Sequence, residues 1–95
     1  MSSSIMRNMT ITHAEYFRLL PIALKNYIYQ IHDLKINVEL DKGNLVIELS
    51  PESSRSIGSL TLTETRVTYT FNNCTQDIRN KFFVDFDRVY QKGGG

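Results

Sequence analysis

Cysteine and an excess of one charge sign are the two features that this sequence most clearly lacks. Its single cysteine, Cys74, excludes an internal disulfide and a cysteine-based zinc site, so we expect a reducing, cytoplasmic environment. The 11 basic and 10 acidic side chains leave a net charge of +1. Such a balance gives no extended positive field, so we predict neither nucleic acid nor a membrane as a partner.

Long hydrophobic runs are also absent, which argues against a membrane span or a signal peptide. Hydrophobic residues make up 41% and charged residues 22% of the 95 residues, a composition typical of a soluble domain with its own core. The first residues are small or polar, with three methionines among them. We therefore predict a disordered tail over 1–9, a single α+β domain over 10–92 and a glycine tail over 93–95.

Signals for a helix start coincide at the sequence ITHAEY. Thr12 can cap the helix, Glu15 completes a capping box, and Ile11 and Tyr16 occupy the two positions of a hydrophobic staple. Pro21 interrupts the helical pattern because proline lacks an N–H group. We expect either a kink at this residue or a second short helix that begins with it.

Strand patterns fill the middle of the chain. Residues 27–31 fit a helix as well as a strand, and we favour a strand because residues that prefer strands are frequent there. Alternating residues over 34–49 predict a β-hairpin around the turn sequence DKGN, in which Gly43 takes a positive φ. Further alternations over 60–62 and 67–71 predict a second hairpin, whose strands are separated by the polar sequence TET.

A long amphipathic helix follows, with Thr75 as its cap. Its apolar residues recur on one side: Ile78, Phe82, Phe83, Phe86, Val89 and Tyr90. The order of elements predicts an α+β, two-layer sandwich. It consists of an N-terminal helix, an antiparallel sheet of four to five strands in hairpins, and a C-terminal amphipathic helix packed on the same sheet face.

Side chains that carry chemistry are few. No Ser-His-Asp arrangement, phosphate loop or dinucleotide fingerprint is present, and the spacing of His13 and His32 matches no zinc motif. We therefore predict no catalytic residues, no metal and no cofactor. Cys74 lies next to a predicted helix start, an environment that lowers a thiol pKa. We interpret it as a structural residue, because lone cysteines are commonly packing residues.

Two groups of aromatic residues are candidates for binding. Phe83 and Tyr90 lie at the edge of the apolar stripe on the last helix. If exposed, their rings would mark a docking surface for a protein partner. Tyr27, Tyr29 and His32 lie close together in the sequence and could line a pocket between helix and sheet. Such a pocket would favour a small-molecule ligand.

The polar loop predicted between the two hairpins is a third candidate. It contains several hydroxyl groups and one guanidinium, contributed by Ser53, Ser54, Arg55 and Ser56. Together with backbone amides, these groups suit the binding of an anion. We favour the alternative, a solvated connector, because serine is frequent in loops of any function.

The chain ends in three glycines after the predicted helix. Ubiquitin-like carriers and small sulfur carriers end in Gly-Gly, and this chain resembles them only in its size and in Gly94 and Gly95. The resemblance implies a carrier that is conjugated through Gly95. In that family, however, the fold begins with a hairpin and the tail follows a strand. We therefore interpret Gly93 as the residue that ends the helix.

These observations favour a non-enzymatic domain that acts as a protein-interaction module or a subunit, with another protein or a second copy of itself as partner. One alternative is a small-molecule-binding protein or minor enzyme that uses the tyrosine and histidine pocket. The other is a carrier that acts through its terminal Gly-Gly. An exposed apolar surface would favour the first function, and a pocket containing His32 would favour the second.

Overall fold

Two helices and an antiparallel sheet form the fold in a computed structural model, which describes residues 2–94. The predicted α+β class is confirmed, with α2 packed on the sheet, but the sheet has six strands rather than four or five. The elements are β1 (Ser2–Met9), α1 (His13–Ala23), β2 (Tyr29–His32), β3 (Lys35–Leu40), β4 (Gly43–Leu49), β5 (Ser53–Ile57), β6 (Leu60–Asn72) and α2 (Gln76–Gly94).

The sheet is organised around β6, the longest strand, with 13 residues. The strand order is β1-β6-β4-β3-β2, and every pair is antiparallel. The second half of β6 therefore lies between β1 and β4. The first half pairs with β5 alone, from Ile57↔Leu60 to Ser53↔Glu64. As a result, β5 and the first half of β6 form a two-stranded extension of the sheet.

Residues 2–9 form an edge strand, so the prediction of a disordered tail is wrong there. Ile5, Arg7 and Met9 are half-buried, and their neighbours in the strand are exposed. The half-buried residues lie on the face that the helices cover, because their register partners on β6 are buried. The strand was missed because serine and asparagine disfavour strands, and its pairing with β6 is a long-range contact.

The second hairpin consists of β5 and β6, and the predicted turn at TET is wrong. Thr65 is buried, and its hydroxyl donates a 2.8 Å hydrogen bond to the carbonyl oxygen of Ile11. β6 therefore continues through this polar sequence. The turn lies between Ile57 and Leu60, where Gly58 has a φ of 62°.

The first hairpin is confirmed, but Gly43 has a different role from the predicted one. Lys42, not Gly43, takes the positive φ, at 63°. Gly43 lies against the end of β6, where a Cβ would overlap the carbonyl oxygen of Asn72 and lie 2.7 Å from that of Asn73. Glycine is therefore needed at this position because two backbones approach closely.

Helix α1 begins as predicted at Thr12, whose hydroxyl accepts a 3.1 Å hydrogen bond from the N–H of Glu15. The capping box is incomplete, because the Glu15 carboxylate instead accepts hydrogen bonds of 2.6 and 2.7 Å from Arg18. α1 is a single helix that includes Pro21. The alternative of a separate second helix beginning at Pro21 is therefore wrong.

Helix α2 also begins as predicted, since the Thr75 hydroxyl accepts a 3.3 Å hydrogen bond from the N–H of Ile78. Its end differs from the prediction. α2 runs to Gly94, so Gly93 lies within the helix instead of ending it. Gly95, through which a carrier would be conjugated, lies outside the described residues, as does Met1.

An aromatic core joins α2 to the sheet. Phe82 and Phe86 are each 1% exposed, and their rings stack with centroids 5.0 Å apart. Phe86 also packs on Tyr90 at 4.7 Å and meets Tyr69 of β6 edge-on at 5.8 Å. Rings buried in this way dominate the energy of a small core. Phe86 therefore joins the aromatic residues of α2 to β6.

We predict that Phe86→Ala lowers the free energy of unfolding by about 3–5 kcal/mol, because it removes a buried ring and leaves a cavity. The matched control is Val84→Ala on the same helix, since Val84 is 61% exposed. This change should stay within about 0.5 kcal/mol. Urea denaturation measures both. A loss of less than about 1 kcal/mol for Phe86→Ala would contradict the packing of α2 described above.

We predict that Gly43→Ala destabilises the protein by about 1–3 kcal/mol, because the new methyl group forces the backbones of β4 and β6 apart. Lys42→Gly should not destabilise it, since glycine accepts the positive φ at that position more readily than lysine does. Both variants are compared with the original chain by thermal and urea unfolding. If Lys42→Gly proved the more costly change, the roles assigned to these two residues would be reversed.

Candidate functional site

The predicted docking edge of α2 is part of the core. Tyr90 is only 5% exposed, and its hydroxyl donates a 2.8 Å hydrogen bond to the carbonyl oxygen of Tyr16. Phe83 is half-buried and packs edge-on against Tyr69 and Phe71, with centroid distances of 5.2 and 5.6 Å. The expected exposure of Tyr90 is therefore wrong, and the two rings do not form an exposed aromatic surface.

Arg7 explains why this edge of α2 is covered. Its guanidinium lies 4.1 Å from the centroid of the Phe83 ring, within the range of a cation–π contact. The same guanidinium donates a 2.6 Å hydrogen bond to the Asp87 carboxylate. β1 thus widens the sheet beneath α2 and covers the Phe83 part of the predicted docking edge, whereas Tyr90 is covered by Tyr16 of α1.

Three tyrosine hydroxyls are buried in the same core. The hydroxyls of Tyr16 and Tyr69 lie 3.1 Å apart, and that of Tyr90 reaches the backbone of α1. Burial raises the pKa of Tyr69 to about 12, and it raises the pKa values of Tyr16 and Tyr90 as well. These hydroxyls stay protonated at neutral pH, and their contacts join α1, β6 and α2.

The predicted pocket of Tyr27, Tyr29 and His32 is not formed. Tyr29 is opposite the buried Val38 in the register, so its side chain lies on the helix side of the sheet. His32 is opposite Lys35 and is exposed on the other face. Positions three apart on a strand point to opposite faces. Tyr29 and His32 therefore cannot line the same pocket.

The predicted anion-binding loop is the exposed strand β5. Strand residues alternate between two faces, so the side chains of Ser53, Ser54, Arg55 and Ser56 do not converge. The Arg55 guanidinium lies 3.5 Å from the Glu64 carboxylate on the paired strand. Arg55 therefore already has an acidic neighbour, and these residues form no anion site.

Cys74 and His13 have structural contacts. The Cys74 thiol donates a 3.3 Å hydrogen bond to the carbonyl oxygen of Asn72, and burial raises its pKa, against the lowering expected from a helix start. The Nε2 atom of His13 lies 2.7 Å from the carbonyl oxygen of Ser50. Among residues 2–94, no group of three or more His, Cys, Asp or Glu side chains could hold a metal ion.

A two-stranded arm is the most exposed feature of the structure. We define the β5–β6 arm as residues 53–64, in which β5 and the first half of β6 pair only with each other. Residues 51–61 are all exposed. Ile57 and Leu60 flank the turn at the tip and are 54% and 58% exposed. The arm therefore presents apolar side chains and strand edges to the surroundings.

A groove separates the arm from α1. It has a volume of about 570 Å³. One wall is the edge of β6 over residues 61–63. The other consists of residues 10–12 and the beginning of α1, including Ala14 and Glu15. Arg18 lies at the rim, where its ion pair with Glu15 balances the charge. The groove therefore lies beside a strand edge and carries no excess of one charge.

The edge of β6 along this groove has no partner strand. β1 covers β6 only as far as the pair Met9↔Thr65. The pair Ile57↔Leu60 closes a two-residue turn and is therefore a hydrogen-bonded pair. Hydrogen-bonded and non-hydrogen-bonded pairs alternate along an antiparallel ladder, so Thr61 and Thr63 belong to non-hydrogen-bonded pairs with β5. Their N–H and C=O groups therefore point away from β5. No hydrogen bond to these groups is found within the described part of the chain.

The sequence did contain a signal for this arm. Ile57 and Leu60 enclose a glycine and a serine, a pattern typical of a two-residue hairpin turn. The signal was hidden by the serine-rich composition of β5, which resembles a loop. The unpaired edge of β6 exists because β1 ends at Met9. No local sequence pattern predicts where β1 ends.

Comparison of the chain with models of known protein families, with curated proteins and with solved structures finds no match. None of the helices within residues 2–94 has the length and apolar character needed to cross a membrane.

We predict that stability falls as the pH rises from about 10 towards 12. Below about pH 10, tyrosine is protonated in both the folded and the unfolded chain, so stability is fully present. Above it, the unfolded chain loses protons that Tyr16, Tyr69 and Tyr90 retain in the folded state. Urea midpoints measured across this range provide the test. Tyr69→Phe should flatten the dependence, and an unchanged dependence would contradict the assignment.

Proposed function

We propose that this protein is a non-enzymatic interaction module that binds an extended segment of a protein partner along the free edge of β6. The observation that carries this proposal is the pair of residues Thr61 and Thr63, whose backbone groups are directed into the groove. Extended peptides add to exposed sheet edges through main-chain hydrogen bonds, and pockets for alternate side chains provide specificity. The groove beside β6 offers both elements.

The arm gains stability from such a partner. A two-stranded ribbon is marginally stable by itself in water, whereas three strands are considerably more stable. A bound segment would be the third strand, in line with β1, and would cover part of the exposed apolar surface near Leu60. Binding therefore completes a sheet that the chain leaves unfinished.

The groove also limits the chemistry of the partner. Side chains of a bound strand would alternate, and those on the helix side would lie between β6 and α1, close to Ile11 and Ala14. The ion pair of Glu15 and Arg18 at the rim favours neither an acidic nor a basic segment. We therefore expect an uncharged, strand-forming segment with small or medium side chains.

The other two functions have less support. Tyr29 and His32 lie on opposite faces of the sheet, which leaves the small-molecule hypothesis without its pocket. Gly93 and Gly94 belong to α2, whereas the terminal glycines of ubiquitin-like carriers follow a strand, which argues against a conjugated carrier. A cytoplasmic location remains a proposal, supported by the single thiol of Cys74. The net charge of +1 supports a protein partner over nucleic acid.

We predict that Thr63→Pro weakens binding at this edge at least about tenfold, equivalent to about 1.4 kcal/mol. Proline removes the N–H group that faces the groove, and its ring prevents close approach of a strand. The probes are peptides selected on the original protein from a random-sequence display library. Their affinities for each variant are measured by titration calorimetry.

Ser54→Pro is the matched control for this experiment. Ser54 is the register partner of Thr63, and its N–H group is directed to the opposite edge of the arm. Proline at such edge positions leaves the internal ladder of the arm intact, which circular dichroism checks in both variants. Selected peptides that bind both variants equally would overturn the proposed function.

A further inference from the structure

We infer that the segment bound at this edge is the same strand of a second copy of the chain, paired β6 to β6 about a two-fold axis at Leu62. The inference rests on the proposed function and names its partner. An antiparallel pair of identical strands is self-complementary, as a two-fold interface requires. The free edge of β6 is therefore both the binding site and the segment that is bound.

The backbone groups of the free edge match one another in a single register. With the axis at Leu62, Thr61 of one copy lies opposite Thr63 of the second copy, so every outward N–H and C=O group meets a partner. An axis at Thr61 would place Thr63 opposite Ser59 in the turn. An axis at Thr63 would require Thr65, which β1 already covers. Leu62 is thus the only centre that uses the edge completely.

The side chains agree with this register. At its centre the two copies of Leu62 form a non-hydrogen-bonded pair, the arrangement in which side chains lie closest. Leu60 then lies opposite Glu64 of the second copy, whose carboxylate remains beside its own Arg55. Arg55 and Glu64 are the only charged residues of the arm, and they have opposite signs. Two arms therefore approach without net repulsion.

The groove provides space for one strand of this length. The end of β1 at Met9 bounds the open edge of β6 at one end, and the turn of the arm bounds it at the other. Five residues of β6, 60–64, therefore have no neighbouring strand on this edge. The corresponding segment of the second copy has the same length. After pairing, this edge of each copy is occupied, so the interface closes as a dimer.

The first test uses opposite charges at the two-fold axis. Leu62→Asp and Leu62→Lys each place like charges directly opposite one another, which destabilises a strand pair. We expect each variant alone to dissociate at least about tenfold more readily than the original chain. A one-to-one mixture of the two should recover a dimer, because the axis then pairs Asp with Lys. Sedimentation velocity over a concentration series measures all three samples, with Ser54→Asp as a control that should dimerise normally.

The second test fixes the register by crosslinking. In a Cys74→Ser background, Leu62→Cys should form an interchain disulfide under mild oxidation, because side chains of this pair lie within disulfide distance. Leu60→Cys is the control, since it lies opposite Glu64 and should not crosslink. The register centred on Leu62 would be overturned by either of two results. One is a mixture of Leu62→Asp and Leu62→Lys that stays monomeric, and the other is equal crosslinking of the Leu62→Cys and Leu60→Cys variants.

The outcomes separate this inference from the proposed function. In one outcome, the original chain stays monomeric at every concentration, but the selected peptides bind Ser54→Pro more tightly than Thr63→Pro. The second copy is then the wrong partner, and the edge of β6 remains a binding site for another protein. If the chain is monomeric and no peptide distinguishes these variants, both proposals fail. A dimer that Thr63→Pro abolishes and Ser54→Pro retains supports both.

Discussion

The pairing of β6 is the constraint on which the rest of the structure depends. A strand of 13 residues offers hydrogen-bonding groups on both sides, and the chain supplies partners for them unevenly. β1 covers residues 65–72 on one side, while β4 and β5 share the other side. The mismatch leaves residues 60–64 with one open edge. The arm, the groove and the proposed interface all follow from β6 being longer than β1.

The aromatic core explains why β6 can extend so far beyond its partners. Val67, Tyr69 and Phe71 alternate along its second half and are buried under the helices. Phe82 packs edge-on against Phe71, and Phe86 packs edge-on against Tyr69. This half is therefore anchored by packing. The first half has no comparable packing and keeps its conformation through β5 and the turn. A strand with one anchored half can present its other half to a partner without unfolding.

The elements that the sequence predicts correctly depend on interactions between residues that are close together in the chain. Thr12 and Thr75 cap their helices because the cap and its acceptor lie within one turn, and the 34–49 hairpin follows from alternation around a short turn. The errors concern contacts with β6 that are distant in sequence. β1 carries few strand-forming residues, and the need for glycine at Gly43 arises from its approach to Asn72. The burial of Tyr90 is a further long-range effect, because the ring of Tyr16 in α1 stacks on it at 4.8 Å.

An exposed strand edge is usually protected against association, and the free edge of β6 carries only part of that protection. Charged side chains, proline and short strands are the common devices, yet residues 60–63 carry no charge and no proline, and the one charged residue of the edge, Glu64, is paired with Arg55. β1 differs, because Arg7 points inwards there and is held by Asp87. The wall of α1 beside the free edge and the end of β1 at Met9 restrict what can pair with β6 to a short segment. An edge that is open but bounded in this way favours a defined complex over indefinite stacking of strands, because each added strand must fit between α1 and the turn.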